Sequence, residues 1–118
     1  MNVRIETIGQ TTLVIPEGRL DFGSAGMFEK QLEQASPRKA TAPAAVIIDC
    51  AGLEYVSSAG LRTFLLAARS AQRTGYQFAI CGLQPPVRDV FELSGFSRII
   101  TIYADRAAAL THAPTGQP

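Results

Sequence analysis

The 118-residue sequence is poor in the groups that most enzymes use, having one histidine and two cysteines. His112, the only histidine, stands at the edge of a polar tail, which argues against imidazole-based catalysis. Cys50 and Cys81 have no second cysteine or histidine at metal-ligand spacing, so free thiols are expected rather than a metal site or a disulfide. No G-x-G-x-x-G, G-x-x-x-x-G-K-[ST] or G-x-S-x-G motif occurs, which removes the common nucleotide-binding loops and the nucleophile elbow. Charge of neither sign dominates: 11 Lys and Arg stand against 10 Asp and Glu, so no strong field favours nucleic acid or anionic lipid. No apolar run approaches the ~20 residues of a membrane span. The opening "MNVRIETIGQTTLVIPEG" alternates and then turns, unlike a signal peptide, so a cytoplasmic protein is expected. These absences predict no cofactor and no enzyme; they leave a binding or switching module.

What is present is enough for a core. The chain is 47% hydrophobic and 18% charged, and its length suits one domain. Alternation at Val3 and Ile5, a turn at Gly9-Gln10 and the run "TTLVIPEG" predict a hairpin, with Pro16 at the end of its second strand. Phe28, Leu32 and Ala35 recur at helical spacing, predicting a helix from about Ser24 to Ala35. "SPRKATAPAA" reads as a surface loop, and "AVIID" and "YQFAICG" as strands covered on both faces. Between them Leu61, Phe64, Leu65, Ala68 and Ala71 mark one side of a helix that ends near Gly75. "LQPPVRDVFELSGFSRII" predicts a third helix with Gly95 at its exit, "RIITIY" a last strand, and "ADRAAALTH" a closing helix that buries Ala107, Ala108 and Leu110. The order is β-β-α-β-α-β-α-β-α. It implies a single α/β domain over residues 1–112, with an N-terminal β-hairpin, then alternating helices and strands in a mixed sheet with helices packed on it. Cys50 and Cys81 follow strands that should be parallel neighbours, which brings the thiols near one another. Residues 113–118 read as a disordered tail.

The stretch "LEYVSSAGLRTFLLAA" places two serines between a strand and a strongly amphipathic helix. Ser57 fits the N-cap position, where a side-chain oxygen accepts from an amide two or three residues on. Ser58 then falls at the first helical position, where capping does not need its hydroxyl. Gly60 is expected to permit the close approach of another backbone. Asp49 is expected to tie down the following loop by accepting backbone hydrogen bonds.

"VIIDCAGLEYVSSAGLRTFLLAA" resembles the STAS domain of bacterial anti-sigma factor antagonists, with Asp49, Tyr55, Val56, Ser58, Gly60 and Leu61 on the family pattern. "GRLD" (18–21) and "LQPPVRDVFELSGFSRIITIYADRAAAL" (83–110) extend the resemblance over about residues 2 to 111. The sequence departs from the usual pattern at Ser57, where Asp is frequent, and at Ala59, where a second Ser is frequent. The resemblance implies a protein that, unphosphorylated, binds an anti-sigma factor with serine kinase activity and so releases a sigma factor. Phosphorylation of the serine that registers with Ser58 ends the complex, and a serine phosphatase restores it. It also implies that Asp21 lines the phosphoserine site, although Asp21 reads equally as an Asx-type turn residue. Arg62, Arg69 and Arg73 read either as a solvated basic face or, with Leu66, as part of the partner surface. The expected partner-binding set is Asp21, Ser57, Ser58, Gly60, Arg62 and Leu66. An alternative with the same fold is a subunit of a larger assembly, either a stressosome-like scaffold or a lipid-transport ATPase complex.

Overall fold

A two-residue turn at Gly9-Gln10 joins strands β1 (Asn2–Ile8) and β2 (Thr11–Leu20) into the expected antiparallel hairpin. The computed structural model describes residues 1–39 and 44–113. The chain continues through α1 (Phe22–Ala35), β3 (Ala45–Asp49), β4 (Leu53–Val56), α2 (Ser58–Thr74), β5 (Gln77–Cys81) and α3 (Pro85–Leu93). A short 3₁₀ turn (Phe96–Arg98), β6 (Thr101–Tyr103) and α4 (Arg106–His112) complete it. The sheet runs β1-β2-β3-β5-β6, antiparallel only at β1-β2, and β4 pairs with β2 beyond the end of β3.

Strand β4 is an addition to the expected order, which has a single strand between the first and second helices. Between Gly18 and Arg19 the register shifts, so β4 spends an extra residue, Glu54, against β2. Such a bulge breaks the alternation of faces. Leu53 and Val56 are buried while Glu54 and Tyr55 are both exposed, a pattern in which a period of two cannot be seen.

Pro16 also departs from expectation, because β2 passes straight through it. The strand pairs with β3 over Thr11–Val14 and with β4 from Gly18 onward. Pro16 falls in the gap between these parallel partners, where its missing N–H costs the ladder nothing.

One face of the sheet carries α1, α2 and α3, and each contributes a fully buried phenylalanine. Phe28 and Phe64 have ring centroids 5.8 Å apart, and Phe64 and Phe91 meet edge to face at 5.2 Å. Burying each such ring stabilises the fold by roughly 1.5–3 kcal/mol. Among the described residues the other face carries α4 alone, whose Ala109 packs with Leu13, Ile15, Ile47 and Cys81. Here Ala109 is the buried alanine and Ala107 is exposed, against expectation, because a run of three alanines offers no contrast from which to read a face.

Cys50 and Cys81 are free; Cys50 follows β3 and Cys81 ends the neighbouring parallel β5, with the Cys50 amide 2.8 Å from the Cys81 carbonyl. Their side chains nevertheless belong to the hydrophobic clusters on opposite faces of the sheet. Ala113 closes α4, and the rest of the expected tail, 114–118, lies outside the described residues, as does 40–43 of the expected surface loop.

Candidate functional site

Strands β2 and β4 run parallel with Leu20 opposite Val56, so their carboxyl ends deliver α1 and α2 side by side. Asp21 and Ser57, each one residue past that pair, are the two N-caps. The backbone joins them directly: the Ser57 amide donates to the Leu20 carbonyl at 2.9 Å.

At α1, Asp21 Oδ1 accepts from the Ser24 amide at 3.0 Å, and Ser24 Oγ accepts from the Asp21 amide at 3.0 Å. This reciprocal capping box starts the helix at Phe22, earlier than the apolar spacing indicates. Hydrogen bonds from Ser24, side chain first and then amide, hold the Asp21 carboxyl below its ordinary pKa.

At α2, Ser57 Oγ accepts from the Gly60 amide at 3.1 Å, as an N-cap should. Ser58 is therefore released from capping. It is exposed, and its hydroxyl makes no hydrogen bond among the described residues. The first turn of α2 contains no acidic side chain, which leaves the positive end of the helix dipole uncompensated next to Ser58. Gly60 gives the close approach that the sequence reading expects, packing against Leu20.

The structure brings Asp21, Ser57, Ser58 and Gly60 together around the Leu20 carbonyl. Arg62 is exposed one helical turn beyond Ser58. Leu66 is half-buried and lies away from these four, in a groove of about 830 Å³ between α1 and α2. Arg69 and Arg73 line that groove together with Arg38, Glu29 and Glu33, so its rim mixes basic and acidic side chains.

Three features of the surroundings escape the sequence reading. Arg19 lies with its guanidinium carbon 4.2 Å from the Tyr55 ring centroid, a cross-strand cation–π pair. Tyr55 is 40% exposed and Phe22 is 87% exposed, placing large apolar surface on both strand–helix junctions beside the serines. Asp49 accepts from the Ala51 amide at 3.1 Å, as expected, but also from Arg106 Nε at 2.8 Å. That ion pair fastens α4 to the end of β3, and Gln84 Nε2 adds a 2.7 Å bond to the Ala51 carbonyl. The loop that launches β4 is thus held from two sides. No local pattern signals an Asp49–Arg106 contact; only the topology brings the two together.

Burial pushes the Cys50 thiol well above its ordinary pKa and the Cys81 thiol up to about 12. Neither is a nucleophile at neutral pH. Among the described residues no group of three His, Cys, Asp or Glu could hold a metal ion. No helix among them is long and apolar enough to cross a membrane.

Comparison with known proteins matches residues 2–109 to the STAS domain. BtrV of Bordetella bronchiseptica, described as an anti-sigma factor antagonist, is 41% identical over 73 residues, which is 62% of this chain and 63% of that protein. The anti-sigma F factor antagonist of Paenibacillus polymyxa is 27% identical over 113 residues, 94% of this chain and 95% of its own length. Among solved structures, an anti-sigma factor antagonist from Thermotoga maritima superposes with a TM-score of 0.82 at 18% identity, over 94% of this chain and 93% of that one, a likeness of fold.

Proposed function

This chain belongs to the STAS domain family, and from that premise we propose that it is an anti-sigma factor antagonist switched by phosphorylation of Ser58. Unphosphorylated, it binds an anti-sigma factor with serine kinase activity in the cytoplasm and frees the sigma factor. A serine phosphatase resets it. The chain acts by binding and not by catalysis: the kinase supplies ATP and the base, and this protein supplies only the acceptor oxygen.

The observation that carries the reading is the division of labour between the two serines. Ser57 satisfies the Gly60 amide, so the Ser58 hydroxyl is free, exposed and placed at a helix N-terminus. A phosphate there carries nearly two negative charges and gains about 0.3–1 kcal/mol from the dipole, so the fold accepts it. The same dianion buried against a partner without cations costs several kcal/mol, so a complex covering Ser58 does not. Phe22 and Tyr55 supply the apolar area such a complex would cover, and Asp21 and Arg62 the polar rim.

The test is phosphate transfer. Incubation with the anti-sigma kinase of its own cell and ATP, followed by peptide mass spectrometry, should place one phosphoryl group on Ser58. Transfer to Ser57 alone, or none under conditions where the two proteins bind, would sink the proposal.

A further inference from the structure

We propose that β1 is a self-pairing edge, through which two copies of this chain join their sheets into one antiparallel sheet. The inference is independent of the Ser58 reading. Strand β1 lies at the end of the sheet order, and among the described residues no strand pairs with its outer side. It is seven residues long and exposed almost throughout, with Ile5 at 47% and Ile8 at 41%. It has neither proline nor lysine, the usual guards of a free edge.

Its backbone is in phase for a two-fold pairing. The hairpin turn has two residues with Gly9 at φ 59° and no positive φ at Gln10, so Ile8 and Thr11 form a hydrogen-bonded pair. Alternation then directs the N–H and C=O groups of Ile8, Glu6, Arg4 and Asn2 toward β2. Those of Val3, Ile5 and Thr7 point outward. A second copy rotated about an axis through Ile5 sets Ile5 against Ile5 and Val3 against Thr7, and each of these pairs exchanges both of its N–H···O bonds.

The side chains select the same register. About Ile5, Arg4 stands opposite the second copy's Glu6, and Glu6 opposite the second copy's Arg4, while the half-exposed Ile5 side chains cover each other. The two neighbouring registers in phase with the outward groups are centred on Arg4 or on Glu6. They place arginine on arginine or glutamate on glutamate. Only the Ile5-centred pairing is complementary. Arg4 keeps its exposed 3.3 Å ion pair with Glu17 on the opposite side. Because the axis is perpendicular to the sheet, the two Ser58 sites point to opposite ends of the dimer.

An edge of this length buries less than a standard interface of roughly 1,600 Å², so the dimer is weak. Sedimentation equilibrium of the full chain, in a series reaching about 1 mM, should show the average mass rising toward that of two chains at the high end. Glu6→Arg leaves the Arg4–Glu17 pair intact and should weaken association at least tenfold, as should Arg4→Glu. An equimolar mixture of these two variants restores both opposed pairs and should dimerise as the wild type does. Ile5→Pro removes one outward N–H without touching the hairpin ladder and should stay monomeric. A wild type that remains monomeric throughout, a Glu6→Arg variant that dimerises unchanged, or a mixture that stays monomeric would each overturn the proposal.

Discussion

Gly60 sits so close to Leu20 that a Cβ added to it would lie 2.7 Å from both the Leu20 carbonyl oxygen and Leu20 Cγ. Leu20 is fully buried and its carbonyl already holds the Ser57 amide, so neither side can yield cheaply. Gly60→Ala should destabilise the fold by about 1–3 kcal/mol, the usual cost of overpacking. It should also weaken partner binding, because the relief of the clash displaces Ser57 and Ser58. Urea denaturation checks the first effect and titration calorimetry the second. An unchanged midpoint would show that α2 is less tightly seated than this geometry requires.

Ser57→Ala removes the oxygen that accepts from the Gly60 amide and should cost ~1 kcal/mol. For a chain of this size that is roughly 4 °C in melting temperature. Phosphate transfer to Ser58 should persist. If Ser57→Ala abolishes transfer while the protein stays folded, the cap and the acceptor have been assigned to the wrong serines.

Ser58→Asp and Ser58→Ala separate charge from shape at the next position. Aspartate suits a helix N-terminus, so the melting temperature should hardly change. A penalty of ~2.8 kcal/mol in the interface would lower affinity a hundredfold. Alanine should bind the anti-sigma factor but resist the kinase. Tight binding by Ser58→Asp would show that Ser58 lies outside the interface.

The two thiols should be inert in the native protein and react with a thiol reagent at mildly alkaline pH only after denaturation. The folded pKa of Cys81 is raised from 9.0 to about 12. Below 9.0 both folded and unfolded forms keep the proton and the stability is fully present. Above it the unfolded chain ionises first, so stability declines as pH rises from 9.0 toward 12. Cys50 shifts in the same direction and adds to the loss. Denaturation midpoints across that window test the sign, and Cys81→Ala should flatten the decline.

Arg106→Ala should detach α4 more than the loss of one ion pair at a partly exposed arginine suggests. It leaves Asp49, whose side chain is only 9% exposed, without its charged partner. A hydrogen bond to a charged group contributes about 1.5–3 kcal/mol. Hydrogen exchange should accelerate in α4 before it does in α1–α3. Uniform acceleration across all four helices would contradict an anchor at this point.

Much of this architecture was legible because the chain repeats its signals at several levels. In α2 the apolar residues recur at helical spacing, Ser57 caps one end and Gly75 closes the other. The serines and Gly60 were readable for the same reason, since caps and close approaches are local demands. Strand β4 was not, because its bulge destroys the alternation that identifies a strand. Pro16 misled because its tolerance depends on β2 changing partners, and partner choice is tertiary. The opposite faces taken by Cys50 and Cys81, and the Arg19–Tyr55 and Asp49–Arg106 contacts, depend on which strands become neighbours. No window of sequence contains that information.

The chain of Phe28, Phe64 and Phe91 bears on how a signal at Ser58 could travel. Phe64 lies about one and two-thirds turns along α2 from Ser58 and touches a ring from each neighbouring helix, so α2 cannot rotate or slide without prising two aromatic contacts apart. Phosphorylation at the mouth of the helix gains too little from the dipole to do that work. A switch at Ser58, as proposed, would therefore be written in surface charge on a stationary scaffold. Side-chain resonances of the three rings should be the part of the spectrum that modification leaves alone.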